Sequence, residues 1–103
     1  MKVESYVNSE ETVELLKSLI RIDSVNPSLI KGGAGEVEIA EFIADYLEDA
    51  GLEAGVTEIG KNRANAVGVL RGKGEGPSLM LNGHMDTVGV EQMSIPPFEP
   101  RIE

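Results

Sequence analysis

Apolar and polar positions follow two different periods along this chain, and the change of period divides it. Val13, Leu16, Leu19 and Ile20, with Leu15 widening the stripe, fall near helical spacing and predict a helix over residues 9–21. Asn8 or Ser9 stands where a helix cap belongs, Glu10 and Glu11 follow in the first turn, and Asn8-x-x-Glu11 has the form of a capping box. Pro27 confines Asn26 to extended conformations, so the helix ends in the polar turn Asp23-Ser24-Val25-Asn26-Pro27-Ser28. A second stripe, Ile39, Ile43, Tyr46, Leu47 and Ala50, predicts a helix from Glu36 to the stop at Gly51. Its opposite face, with Glu38, Glu41, Asp45 and Glu48, reads as a solvated acidic surface.

After Gly51 the period shortens. Residues 52–59 and 64–71 read as two strands separated by the turn Gly60-Lys61-Asn62. The apolar run Leu79-Met80-Leu81 reads as a third. The short glycine-rich link 72–76 between the second and third strands predicts a hairpin, hence antiparallel neighbours. Beyond Val88 regularity is lost. Ile95-Pro96-Pro97-Phe98-Glu99-Pro100 can be neither helix interior nor central strand, and Phe98 needs a pocket to lie in. The expected fold class is α/β: two helices packed on a mixed β-sheet, in one domain with no internal boundary or repeat.

Composition narrows the function classes. Eighteen acidic against nine basic residues give a formal net charge of −9, which disfavours nucleic acid and anionic membrane surfaces as partners. The absence of cysteine removes disulfides, thiolate zinc sites and thiol catalysis. No window approaches the roughly 18 apolar residues of a membrane span, and no signal-peptide core is present, so a cytoplasmic protein is expected.

Two stretches carry candidate chemistry. Lys31-Gly32-Gly33-Ala34-Gly35 before a helix has the form of an anion nest, but no strand signal precedes it, and Glu36 and Glu38 would repel an anion; a simple loop fits better. The other is Gly83-His84-Met85-Asp86, which contains the single histidine. Side chains at i and i+2 of a strand share a face, so His84 and Asp86 would project together where the third strand gives way to loop. Asp86 can accept a hydrogen bond from one imidazole nitrogen and leave the other free for a metal. Spacing alone leaves a structural histidine and a metal ligand both open.

Gly83-His84-Met85-Asp86-Thr87-Val88 after an apolar run resembles the first metal motif of the zinc-dependent amidohydrolase and exopeptidase family. That family includes acetylornithine deacetylase, succinyl-diaminopimelate desuccinylase, aminoacylase and glutamate carboxypeptidase. Leu19 to Pro27, the 36–51 helix, Arg63-Ala64-Asn65-Ala66-Val67-Gly68 and the Pro97-Phe98 segment are similar in order and spacing. The resemblance implies that His84 is the first ligand of a two-metal site and Asp86 the catalytic-site carboxylate that orients a metal-site histidine. It implies zinc, with cobalt or manganese as alternatives, and an N-acyl amino acid or small peptide as substrate. The bridging aspartate, the Glu-Glu pair with the general base, a further carboxylate and a second histidine come later in family members and are not among these 103 residues. Residues 1–103 are therefore expected to be the N-terminal part of a metallopeptidase-like catalytic domain, without its lid domain. The isolated chain is expected to be inactive and, with strand edges uncovered, to self-associate as a homo-oligomer. The alternative is a non-catalytic α/β interaction module whose His-x-Asp is structural.

Overall fold

The computed structural model describes residues 2–103. After a 3-10 turn at Val3–Tyr6, the elements in order are α1 (Ser9–Ile20), α2 (Val37–Asp49), β1 (Glu53–Gly60) and β2 (Arg63–Val69). Both helices lie where the apolar stripes place them. Asn8 caps α1 by accepting from the Glu11 backbone N–H at 3.1 Å, which is one half of the predicted capping box. α2 ends in a Schellman motif: Leu52 N–H donates to the Leu47 carbonyl (3.0 Å) and Gly51 N–H to that of Glu48 (2.9 Å). Gly51 supplies the left-handed residue this needs, at φ +97°.

β1 and β2 form an antiparallel hairpin, with Ala54 opposite Gly68, Val56 opposite Ala66 and Glu58 opposite Ala64. Ala54, Ala64, Ala66 and Gly68 lie on the face toward α2, and their small side chains let the helix lie close. A Cβ added at Gly68 would come within 2.8 Å of Leu47 Cδ1. The core that results is small: Val25, Ile39, Ala40, Ala44 and Ala64, with Ser24 and Glu36 buried beside them. α1 contributes no fully buried residue to it. Pro97 and Phe98 are half-buried and line an apolar groove of about 450 Å3 with Leu19, Ile39, Ile43 and Met85, which gives Phe98 the pocket it needs.

The α/β class stands, but one expected pairing does not form. Leu79, Met80 and Leu81 belong to no strand and are 85–88% exposed, so no hairpin joins them to β2. Their pattern explains the difference. Three consecutive apolar residues suit a strand covered on both faces, as in a parallel sheet, whereas a hairpin partner of β2 would have one face in solvent. The only parallel pairing among the described residues is an isolated bridge between Val25 and Thr87. None of the described helices is long and apolar enough to cross a membrane.

The glycine-rich loop before α2 is a packing device. A Cβ on Gly33 would lie 2.7 Å from the Val25 carbonyl oxygen. Gly35, at φ +76°, lies so close to the β1–β2 turn that a Cβ there would overlap the Asn62 carbonyl oxygen. The amides that could have cradled an anion are used internally: Gly33 donates to Ile30, Gly35 to Val25 and Glu36 to Asn62. Gly35→Ala combines left-handed strain with that overlap, and is expected to cost about 2 kcal/mol or more. Denaturant unfolding checks this, with Gly32→Ala, which shares the positive φ but meets no atom within 4 Å, as the milder control.

Candidate metal centre

His84 and Asp86 do come together, but in an irregular segment held by backbone pairing at Thr87, not at the end of a strand. The segment Met85-Asp86-Thr87 is clamped to Ser24-Val25-Asn26 along its backbone. Asn26 N–H donates to the Thr87 carbonyl at 2.9 Å and Thr87 N–H to the Ser24 carbonyl at 3.0 Å. The buried Ser24 hydroxyl adds a third bond, to the Met85 carbonyl at 2.9 Å. The 24–26 segment is itself fixed locally: Asp23 Oδ1 accepts from Val25 N–H (3.0 Å) and Asn26 Oδ1 from Ser28 N–H (2.7 Å), two side-chain turns of the kind these residues favour.

Within this frame Asp86 is half-buried and His84 exposed, with side-chain exposures of 28% and 85%. Asn26 Nδ2 donates to Asp86 Oδ2 at 2.9 Å. The imidazole Nδ1 lies 3.0 Å from the Asp86 carbonyl oxygen and 3.2 Å from Asp86 Oδ1. Both partners are acceptors, so the neutral ring that fits carries its proton on Nδ1 and leaves the Nε2 lone pair open. The Asn26 hydrogen bond is the main influence holding the Asp86 carboxyl below its usual range; partial desolvation opposes it and His84 adds a smaller lowering. An ionised carboxylate behind an imidazole is how metal-binding histidines are commonly oriented.

A cleft of about 490 Å3 runs beside this pair, bounded by Asn82 and His84 on one side and by Glu36, Arg63 and Asn65 on the other. Glu36 sits at the N-cap of α2 but leaves the helix uncapped. Its buried carboxylate instead accepts from Arg63 Nε at 2.8 and 2.9 Å, while Arg63 Nη1 donates to Ser28 Oγ at 3.1 Å. The hydrogen bond to Glu36 is the chief cause raising the Arg63 pKa above its ordinary value. Arg63, the one arginine or lysine among the described residues lining the cleft, is thus turned toward Glu36.

His84 fits as one imidazole ligand of a metal ion, with Asp86 behind it. The described residues bring no group of three histidine, aspartate or glutamate side chains together, so a complete metal site is not formed from them. Ser24, Asn26, Glu36 and Arg63 lie in stretches that the sequence marks as turn, helix start and family-like segments, without giving any of them a role at this site. Asn-Pro after an Asp-Ser turn was the available signal for a rigid polar corner, but nothing in it points to a partner sixty residues away.

The chain is similar in sequence to proteins of known name. Over 82 residues the chain is 38% identical to a protein of Thermococcus kodakarensis provisionally named LysW-lysine/LysW-ornithine hydrolase, covering 80% of this chain and 20% of that protein. It is 34% identical over 82 residues to acetylornithine deacetylase of Aliivibrio salmonicida, covering 80% of this chain and 21% of the relative. With an uncharacterised metallohydrolase of Methanocaldococcus jannaschii it shares 34% identity over 108 aligned positions, covering 91% of this chain and 26% of that protein. The chain thus spans about a fifth to a quarter of the length of these relatives. No protein-family model matches the sequence, and no solved structure matches the chain. By these matches, and by the motifs that first suggested it, the chain belongs to the amidohydrolase and exopeptidase family of acetylornithine deacetylase and succinyl-diaminopimelate desuccinylase, and corresponds to the N-terminal part of such a protein.

Proposed function

We propose that this chain supplies the first corner of the metal centre in a longer cytoplasmic hydrolase that cleaves the amide bond of an N-acyl amino acid or small peptide. The observation that carries the reading is the imidazole of His84, tied through Nδ1 to Asp86 and open at Nε2 beside a polar cleft. His84 is the ligand, and Asp86 fixes its ring and its tautomer. Zinc suits a neutral imidazole combined with carboxylates; cobalt and manganese suit the same mixed nitrogen and oxygen donors. A bound metal supplies polarisation of the scissile carbonyl and an acidified water. The remaining ligands and the base that manages the proton come from elsewhere in the longer protein. The names of the relatives favour a lysine, ornithine or related amino acid on the amine side of the amide.

The exposed run Leu79-Met80-Leu81 also supports membership in a larger domain, because a strand covered on both faces is what that run suits. Left uncovered, it is expected to make the isolated chain self-associate. Light scattering checks this, and a monodisperse monomer at high concentration would count against it.

Activity tests the reading directly. The protein carrying this segment in its native reading frame is expected to release amine from N-acetylornithine or N-succinyl-diaminopimelate, to lose activity after chelation and to regain it with zinc, cobalt or manganese. Asp86→Ala is expected to lower metal affinity or activity by roughly 10–100-fold, and His84→Ala by more. The isolated 103-residue chain is expected to show no turnover and no tight stoichiometric zinc. Robust deacylation by it, or full activity in His84→Ala, would refute the assignment; a chain that neither binds metal nor belongs to a longer hydrolase would favour the non-catalytic module.

A further inference from the structure

We propose that Asn26 is a positioning residue of this centre: through Asp86 it holds His84 with Nδ1 protonated and Nε2 open. The role of that open nitrogen rests on the metal reading of His84; the positioning itself does not.

Asn26 is fixed on every side that matters. Its backbone N–H donates to Thr87, its carbonyl accepts from Leu29 and Ile30 at 3.1 and 3.0 Å, and its Oδ1 accepts from Ser28 N–H. The amide therefore has one orientation. Turned over, it would point Oδ1 at the Asp86 carboxylate and its NH2 at the Ser28 N–H, losing two bonds and creating two repulsions. In the orientation present, Nδ2 has one task, donation to Asp86 Oδ2 at 2.9 Å. With Oδ2 tied, Oδ1 faces His84 Nδ1 at 3.2 Å, beside the Asp86 carbonyl oxygen at 3.0 Å that the backbone clamp supplies. Ser28 N–H donates to Asn26, Asn26 donates to one oxygen of Asp86 and the imidazole to the other, so the hydrogen bonds converge on the carboxylate.

The chemistry of the donor matters as much as its place. An asparagine orients the carboxylate without neutralising it, so the negative charge behind the imidazole is kept. A lysine or arginine there would cancel it. The one arginine close by is held off, its Nε engaged by both oxygens of Glu36. Arg63 is therefore hydrogen-bonded to Glu36 and Ser28 and acts on Asp86 only through its charge.

The single histidine makes this measurable without activity. In 15N-labelled chain, the Nδ1 and Nε2 shifts of His84 report its tautomer at a pH where the ring is neutral. The wild type is expected to favour Nδ1–H. Asn26→Asp keeps the size of the side chain and the acceptor for Ser28 N–H but replaces the donor with a second carboxylate. It is expected to free the Asp86 carboxylate to turn from the ring and so lower the Nδ1–H to Nε2–H ratio roughly threefold, the share carried by Oδ1, while the Asp86 carbonyl keeps the remainder. Asn26→Ala, which adds no charge, is expected to move the ratio in the same direction. The Thr87 amide resonance shows whether the backbone clamp survives in each. A merely structural Asn26 would leave the ratio at its wild-type value in variants whose clamp is intact, and that result overturns the proposal. A wild-type ring that is mainly Nε2–H overturns it without any variant. The longer protein separates the two claims: a chain whose ring is Nδ1–H, together with full zinc-dependent activity of His84→Ala in the longer protein, would sink the metal reading and leave the positioning role standing.

Discussion

Four hydrogen bonds between Ser24-Val25-Asn26 and Met85-Asp86-Thr87 hold this structure's functional end in place. Residues 76–86 have no helix or strand of their own, so without that clamp nothing would set His84 and Asp86 against the rest of the chain. Backbone pairing alone would fix only the path of the segment. The buried Ser24 hydroxyl and the Asn26 amide fix its register as well, since each reaches a different residue of the 85–87 strip. Each such bond contributes about 0.5–1.5 kcal/mol net, a large share of what so small a core can supply.

The clamp depends in turn on how closely the loops around it pack. Gly33 and Gly35 bring the start of α2 against Val25, Pro27 and Asn62 at distances no side chain would allow. The Glu36–Arg63 pair ties the same point to β2. α2 and the hairpin therefore serve as a platform that holds the 24–26 strip, and the strip holds the site. Helix α1, which buries nothing fully, and the exposed run at Leu79–Leu81 lie outside this chain of support.

What could be read from the sequence follows from the range of the interactions. Both helices, the Asn8 cap, the Gly51 stop and the β1–β2 hairpin rest on contacts within a few residues, and the periodicity and turn residues encode them. His84 and Asp86 were legible as a pair because they are neighbours in sequence. Leu79-Met80-Leu81 was misread as a hairpin strand because a short glycine-rich link suggested a near partner, while three apolar residues in a row ask for cover on both faces. The bridge from Val25 to Thr87 could not be read at all. Backbone groups have no residue signature, and the side chains that lock the bridge, Ser24 and Asn26, are equally at home in an ordinary polar turn. Asn26 in fact does both, making the turn with its oxygen and the long-range contact with its nitrogen.

Amide hydrogen exchange across the chain measures the central claim most directly, namely that the 24–26 strip and not an apolar strand carries the site. The N–H groups of Asn26 and Thr87 are expected to be protected to an extent similar to those of the β1–β2 hairpin, and those of Leu79, Met80 and Leu81 to exchange nearly as fast as in an unstructured peptide. Protection at Leu79–Leu81 with rapid exchange at Asn26 and Thr87 would contradict this account.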